Sequence, residues 1–187
     1  MSIIPPFEIG IWNAWIFTIW LIISPFLSSI AIKEKEVSKE LRISAPMKHE
    51  KILNVISMAA VVFGFLYSIF LPLKINTNWF YIGLPIFFIG LTIDFSVLFT
   101  LRKAKVDKPF TCGPYKYSRH PIYLALLLII ISVAIMSLSW IFLLILIIMI
   151  IHLLLAIPAE EKYCIKKYGL EYQEYLKKTP RWIGFPK

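Results

Sequence analysis

Long runs of apolar residues, separated by short basic stretches, set the pattern of this chain. The first run covers residues 7–32 and the second 52–73, the latter closed by Lys74 and the turn Ile75-Asn76-Thr77-Asn78. A third covers residues 79–101. A helix rises about 1.5 Å per residue, so about 20 apolar residues cross a hydrocarbon core of about 30 Å, and each run meets that length. Residues 121–157 then give 37 nearly uninterrupted apolar positions. A single straight helix of that length would reach roughly 55 Å, too long for one crossing. The polar cluster Ser137-Leu138-Ser139-Trp140 divides the run and predicts a tight hairpin of two arms, each 15 to 20 residues long. The pattern therefore predicts an all-α membrane bundle of about five transmembrane helices, the fourth and fifth forming the hairpin.

The polar stretches orient this bundle. Six of the Lys and Arg residues lie in residues 33–51, six in 102–119 and seven in the tail after the last run, with only Lys74 on the other side. Cytoplasmic loops carry the excess of Lys and Arg in membrane proteins. Five crossings with the N-terminus outside place all three basic segments, and the C-terminus, in the cytoplasm. The first run lacks a basic segment before it and a small-residue cleavage site after it, so it reads as a retained helix rather than a signal peptide.

Composition agrees with a bilayer protein. Of 187 residues 59% are hydrophobic, and the mean hydropathy is +0.75, more apolar surface than a soluble domain of this size can bury. The net charge of +9 is accounted for by loops facing anionic lipid, without nucleic acid. Cys112 and Cys164 fall in segments assigned to the cytosol and are expected as free thiols. His49, His120 and His152 are scattered and no CxxC occurs, so no metal centre is expected. The Ile- and Lys-rich usage suits a prokaryotic cell membrane.

Candidate chemistry sits at the cytosolic ends of the hairpin. In the stretch 112–123, Gly113-Pro114 marks a turn and Pro121 occupies the position where proline opens a helix. Arg119 and His120 thus stand at the mouth of the fourth helix, where free N–H groups and the helix dipole favour an anion. Tyr115, Tyr117 and Tyr123 flank them, although the same residues also suit an ordinary interfacial belt. Beyond the fifth run, Pro158 is expected to kink or end the span. Residues 159–168 read as a charged helix stopped by Gly169, and 170–178 as a short amphipathic helix with Tyr172, Tyr175 and Leu176 on one side. This tail either lies on the surface or folds back over the loop before the fourth helix. Glu160 and Glu161 point about 100° apart on a helix, so one is expected to face a site and the other, Glu161, to sit solvated beside Lys or Arg.

The order Gly113-Pro114-Tyr115-x-x-x-Arg119-His120-Pro121-x-Tyr123, hydrophobic hairpin, Glu160-Glu161, Tyr168-Gly169-x-x-Tyr172-x-x-Tyr175 and Pro180-Arg181-Trp182 resembles the isoprenylcysteine carboxyl methyltransferases and their phospholipid-methyltransferase-like relatives. The likeness covers about residues 107–187; the first three helices share only hydrophobicity. It implies one integral membrane domain over residues 1–187, with a cytosolic cap and a pocket for S-adenosylmethionine. Position by position, it implies cofactor contacts at Tyr115, His120, Pro121, Ile122, Tyr123 and Glu160. Asp107, Lys108, Pro109 and Phe110 align with a further cofactor-contacting stretch, usually His-x-Leu-Val. The acceptor would be lipid-borne or a small apolar molecule arriving from the membrane.

One position departs from the isoprenylcysteine pattern. The arginine expected four residues before Glu160 is Ala156 here, so substrate positioning would fall to Arg119, Arg181 or His152, the last one turn deeper on the same face. His152 equally suits helix packing. Asp94, alone within the third run, is either functional or hydrogen-bonded inside the bundle. The loss of the arginine brings a phospholipid, small-amine or thiol acceptor close behind the prenylcysteine carboxylate. A sterol-type reductase shares the Arg-His-Pro element, and a scaffold with basic lipid-binding loops is the non-enzymatic alternative.

Overall fold

The computed structural model describes residues 10–31, 48–103 and 108–185. Within them the chain is all-helical: α1 (Trp15–Ala31), α2 (Lys48–Ser68), α3 (Asn78–Leu101), a 3₁₀ turn (Gly113–Lys116), α4 (Pro121–Ser137), α5 (Trp140–Tyr168) and α6 (Leu170–Lys178). Among the described residues two helices, α3 and α5, are long and apolar enough to cross a membrane, and α1, α2 and α4 are shorter apolar helices.

α3 and α4 form the centre of the packing. A Cβ on Gly83 would meet Met136 at 2.5 Å and the Ser132 carbonyl at 2.8 Å, and one on Gly90 would meet Ile129 and Leu128 at 3.1 Å. Glycine one heptad apart thus lets the two backbones approach, as small residues do between membrane helices. The pairing is antiparallel, so it carries the start of α4 level with the last turns of α3. α2 packs on α5 in the same sense. A Cβ on Gly64 would meet Ile145 Cδ1 at 2.8 Å, and the Tyr67 hydroxyl lies 3.4 Å from Ser139 Oγ. α1 is tied to α2 through Thr18 and Ser68, 2.6 Å apart. It is tied to α3 through Asp94, which accepts from Trp20 Nε1 at 2.8 Å and Ser24 Oγ at 2.5 Å. Asp94 is therefore hydrogen-bonded inside the bundle.

Three boundaries differ from the hydrophobic pattern. The first run was expected to be helical from residue 7, but residues 10–14 precede α1 and pair with the strand-like segment after α2. Asn13 bridges Pro72, and Ala14 N–H donates to the Leu71 carbonyl at 2.9 Å. The same pairing ends α2 at Ser68 instead of residue 73. Pro158 does not end a helix: α5 runs unbroken for 29 residues with Pro158 inside it. A proline removes one backbone donor and tolerates the preceding helical turns if a neighbour supports them. At about 1.5 Å per residue α5 is roughly 43 Å long, more than a hydrocarbon core of about 30 Å, and its charged residues are gathered in its last turns. Those residues include Glu160 and Glu161.

Candidate active site

The site is built where the start of α4 meets the charged end of α5. The 3₁₀ turn before α4 takes its shape from Gly113, whose φ of +59° is in the left-handed region and whose missing Cβ leaves room for the Thr100 hydroxyl. The turn buries Tyr115 against Val97, Leu101 and Phe110. Pro121 opens α4, and the Ser118 hydroxyl accepts from the His120 N–H at 3.1 Å. His120 is thereby held at the helix mouth with its ring buried.

The tail closes over this mouth, which is the fold-back arrangement of the two expected for it. Gly169, at φ +57°, separates α5 from α6. Tyr172 and Tyr175 are buried, and the Tyr175 hydroxyl donates to the Tyr115 carbonyl at 2.7 Å. Beyond α6, the Arg119 N–H donates to the Pro180 carbonyl at 3.0 Å and the Ser118 hydroxyl to the Arg181 carbonyl at 3.3 Å. The Gly184 N–H donates to the Tyr117 carbonyl at 3.0 Å.

Between these layers lies a cluster of ionisable groups. Arg181 binds Glu161 bidentately, Nη2 to Oε2 at 2.6 Å and Nε to Oε1 at 3.2 Å, while Arg119 Nη1 reaches Oε1 at 3.1 Å. His120 Nε2 lies 3.3 Å from Glu161 Oε1, and its Nδ1 lies 3.7 Å from Glu160 Oε2. The Tyr123 hydroxyl donates to Glu160, and its ring is nearly parallel to that of His120, at 8° and 5.7 Å between centroids. Glu161 is buried, which corrects the expectation of a solvated residue. Both carboxylates reach the site despite their 100° separation, because the His120 ring lies between them and meets each with a different nitrogen.

The electrostatics assign protonation states. Burial lowers the pKa of His120, Glu161 pulls it back up, and Arg119 and Arg181 lower it again; the net shift is downward, so the ring is neutral at neutral pH. An ionised Glu161 can only accept, so the His120 proton sits on Nε2 and leaves the Nδ1 lone pair toward Glu160. Burial by itself would raise the Glu161 carboxyl. The Arg181 hydrogen bond, the Arg119 charge and the His120 hydrogen bond outweigh it and hold the carboxyl below its ordinary value. Burial raises Tyr115, Tyr172 and Tyr175 far enough to keep them as hydroxyl donors, and pushes the Cys164 thiol up to about 11. Cys112 and Cys164 are both free thiols.

Of the residues singled out from sequence, the structure gathers Tyr115, Arg119, His120, Pro121, Tyr123, Glu160 and Arg181 around this mouth. Ile122 is beside them, 37% exposed. Lys108 is exposed, Pro109 is buried and Phe110 packs its ring 5.8 Å from that of Tyr115. Asp107 lies outside the described residues. His152 stays apart: it is two turns deeper in α5 and its buried Nδ1 has no partner. Sequence reasoning missed Glu161 as the hub and Ser118, Tyr175 and Pro180 as its supports. The available signal was two arginines, each flanking a proline, that needed an anion.

A search of curated proteins finds no significant match. The profile of the phospholipid methyltransferase family matches residues 53–171, from the first turns of α2 to the start of α6 and across the whole mouth of α4, and the chain belongs to that family.

Proposed function

We propose that this protein transfers a methyl group from S-adenosylmethionine to an acceptor carried by a membrane lipid, at the cytoplasmic face of a five-span bundle. The single observation that carries the reading is the convergence of Glu160 with His120 and Tyr123, which lie 40 and 37 residues before it in sequence, on one partly open polar cluster. The residues suit the cofactor. The Glu160 side chain is 34% exposed and offers a carboxylate to a cationic or hydroxyl-bearing group. Arg119 Nε is out of solvent without an acceptor, a donor that a carboxylate would satisfy. Tyr115, Tyr123 and His120 supply aromatic faces for a nucleobase.

When bound, S-adenosylmethionine supplies a methyl group already activated by a sulfonium charge. The protein's own contribution is alignment and exclusion of water. Glu160 and Tyr123 would orient the cationic end, the mouth of α4 with the spare Nε of Arg119 would take the anionic end, and the α6 tail would cover both. The membrane face stays open: Leu154 and Leu155 are 57% and 53% exposed on α5. The basic residues divide 19 to 1 between the two sides of the bundle, which supports five crossings, an outside N-terminus, a cytoplasmic C-terminus and placement in a cell membrane. Residues 1–187 are then one domain.

An amine-bearing lipid fits better than a prenylcysteine carboxylate. A carboxylate acceptor needs a cation to hold it, yet Ala156 replaces the expected arginine, Arg181 is bound to Glu161, and the spare Nε of Arg119 is taken by the cofactor's own carboxylate in this reading. The neutral Nδ1 of His120 instead suits an ammonium group and the proton it must lose. Membership of the phospholipid methyltransferase family favours the same class over a nicotinamide-dependent reductase.

Calorimetric titration of the detergent-purified protein with S-adenosylhomocysteine and with NADPH tests the reading. Binding of the first and not the second is expected, with Glu160→Gln weakening it about tenfold or more. Binding of NADPH alone, or a Glu160→Gln variant that binds as the parent does, would overturn it. Labelled methyl donor with native lipid extract then identifies the acceptor.

A further inference from the structure

Among the described residues, two buried polar atoms outside the site have no hydrogen-bond partner, one on each of two helices that pack together. Ser57 on α2 is 5% exposed, and both its Oγ and the Nδ1 of His152 on α5 are out of solvent and unpaired. Their level follows from the antiparallel packing of the two helices. Gly64 abuts Ile145. Seven residues is two helical turns, so stepping back seven on α2 and forward seven on α5 keeps both faces within about 20° and arrives at Ser57 and His152. Leaving such groups unpaired in an apolar bundle costs roughly 1–3 kcal/mol each.

We infer that Ser57 and His152 form a subsite for an ester carbonyl of the acceptor lipid, an inference that rests on the methyltransferase reading only for the word acceptor. The ligand chemistry follows from the donors. A serine hydroxyl and a neutral imidazole N–H both donate, and an ester carbonyl oxygen accepts two bonds without bringing a charge into the bundle. Apolar surface for acyl chains flanks both residues, since Ile56 and Met58 beside Ser57 on α2 are 46% and 72% exposed, and Ile151 beside His152 is 48% exposed. Acyl chains lie against these residues while the carbonyl reaches between the helices.

The position matches the layout of a glycerophospholipid. His152, Ala156 and Glu160 follow one another at four-residue steps on α5, each turned about 40° from the last, and eight residues span about 12 Å. A headgroup amine at Glu160 puts the glycerol esters on the deeper side, toward His152. Ala156 lies between them, where its methyl group leaves a path that a longer side chain would block. The residue that departs from the prenylcysteine pattern thus becomes part of a corridor for a different lipid.

Ester recognition predicts discrimination against the matching ether lipid, which keeps the headgroup and chains but lacks the carbonyl. Native mass spectrometry of the detergent-purified full chain, with diester and diether phosphatidylethanolamine of equal chain length, reads this without any cofactor. The diester form is expected to be retained about threefold to tenfold more tightly, the range of one or two neutral hydrogen bonds. Ser57→Ala and His152→Leu should each reduce that preference and leave diether retention unchanged. Equal retention of the two lipids by the parent, or a full preference surviving in both variants, would overturn the subsite. S-adenosylhomocysteine binding is measured in parallel. Its retention in the variants shows that they are folded, and its absence in the parent counts against methyl transfer while the ester preference is still read.

Discussion

At the turn end of the α4–α5 hairpin the chain reverses through Leu138 and Ser139 with bonds that are short in sequence and neutral. Ser139 caps α5 by accepting from the Phe142 N–H at 3.5 Å, and the Ser137 hydroxyl donates to the Val133 carbonyl at 2.6 Å. At the mouth end the same two helices and the tail are joined by groups 20 to 63 residues apart, three charged or titratable side chains meeting at the one carboxylate of Glu161. The reversal at the first end follows from local rules, and Tyr67 and the Lys74 N–H add neutral long-range bonds to Ser139 and to the Met136 carbonyl. The second forms only after α4, α5 and the tail have met, and its charges are held out of water by one another. Structure at the turn is insensitive to any one polar partner, whereas the mouth depends on Glu161.

Removing that carboxylate should give the largest effect in the molecule. Glu161→Gln leaves Arg119 buried without its counter-ion. Stripping one partner from a buried pair costs about 3–5 kcal/mol, and the 42% exposure of the Arg181 side chain reduces this to about 2–3 kcal/mol. Denaturant titration in detergent should show that loss, with protease cleavage appearing within residues 179–185 as the tail lifts. Glu160→Gln sharpens the contrast by affecting cofactor affinity with little change in stability. Equal stability losses in the two variants would show that the neighbouring carboxylates do not divide the work as their burial indicates.

The next effect in size is a pH dependence confined to the mouth. The folded pKa of His120 lies below its ordinary 6.5, so the unfolded chain takes up the proton first. The stability contributed is complete above about pH 6.5 and is lost as pH falls toward the folded value. Glu161 adds a second loss with the same sign, starting below its ordinary 4.5 as the ion pairs are protonated. Unfolding free energy should therefore be flat from about pH 7 to 8 and decline in two stages on acidification. His120→Asn should remove the upper stage and keep the lower. A decline in His120→Asn that starts at the same pH as in the parent would place the titrating group elsewhere.

The same contrast explains what the sequence made legible. α3, the division of the long run at residues 137–140, the stop at Gly169 and α6 all follow from periodicity, a serine cap or a glycine, and they appear where those signals stand. The residues of the mouth were legible as types: Arg119-His120-Pro121 announces a helix start, and Glu160-Glu161 an unusual pair of carboxylates beside many lysines. Their assignment to partners was not, because which glutamate faces inward depends on where α5 lies against α4, and Pro158 concealed that the two glutamates belong to an unbroken helix. The start of α1 and the end of α2 were misplaced for a similar reason. Trp12 to Ala14 and Leu71 to Leu73 are apolar enough for helix but gain more by pairing with each other across 57 to 61 residues.

Single substitutions at the turn should then produce small, additive effects, and the one at Leu138 should be close to zero. Ser139→Ala removes a helix cap and is expected to cost about 1 kcal/mol, less than half the effect of Glu161→Gln. Leu138 sits at φ 52°, ψ 38°, a left-handed conformation that costs a side-chain-bearing residue about 1 kcal/mol relative to glycine. Its side chain is 38% exposed, so replacing it forfeits only part of the burial of a leucine. The two contributions nearly cancel, and Leu138→Gly should lie within about 0.5 kcal/mol of the parent or slightly above it in denaturant titration. A loss of 2 kcal/mol or more would mean that the leucine is an anchor for α4 and α5, and the turn end would then share the fragility of the mouth. Because the two positions are a helix length apart and share no partner, Leu138→Gly combined with Glu161→Gln should give the sum of the single effects. Departure from additivity would reveal that strain at the turn is felt at the site.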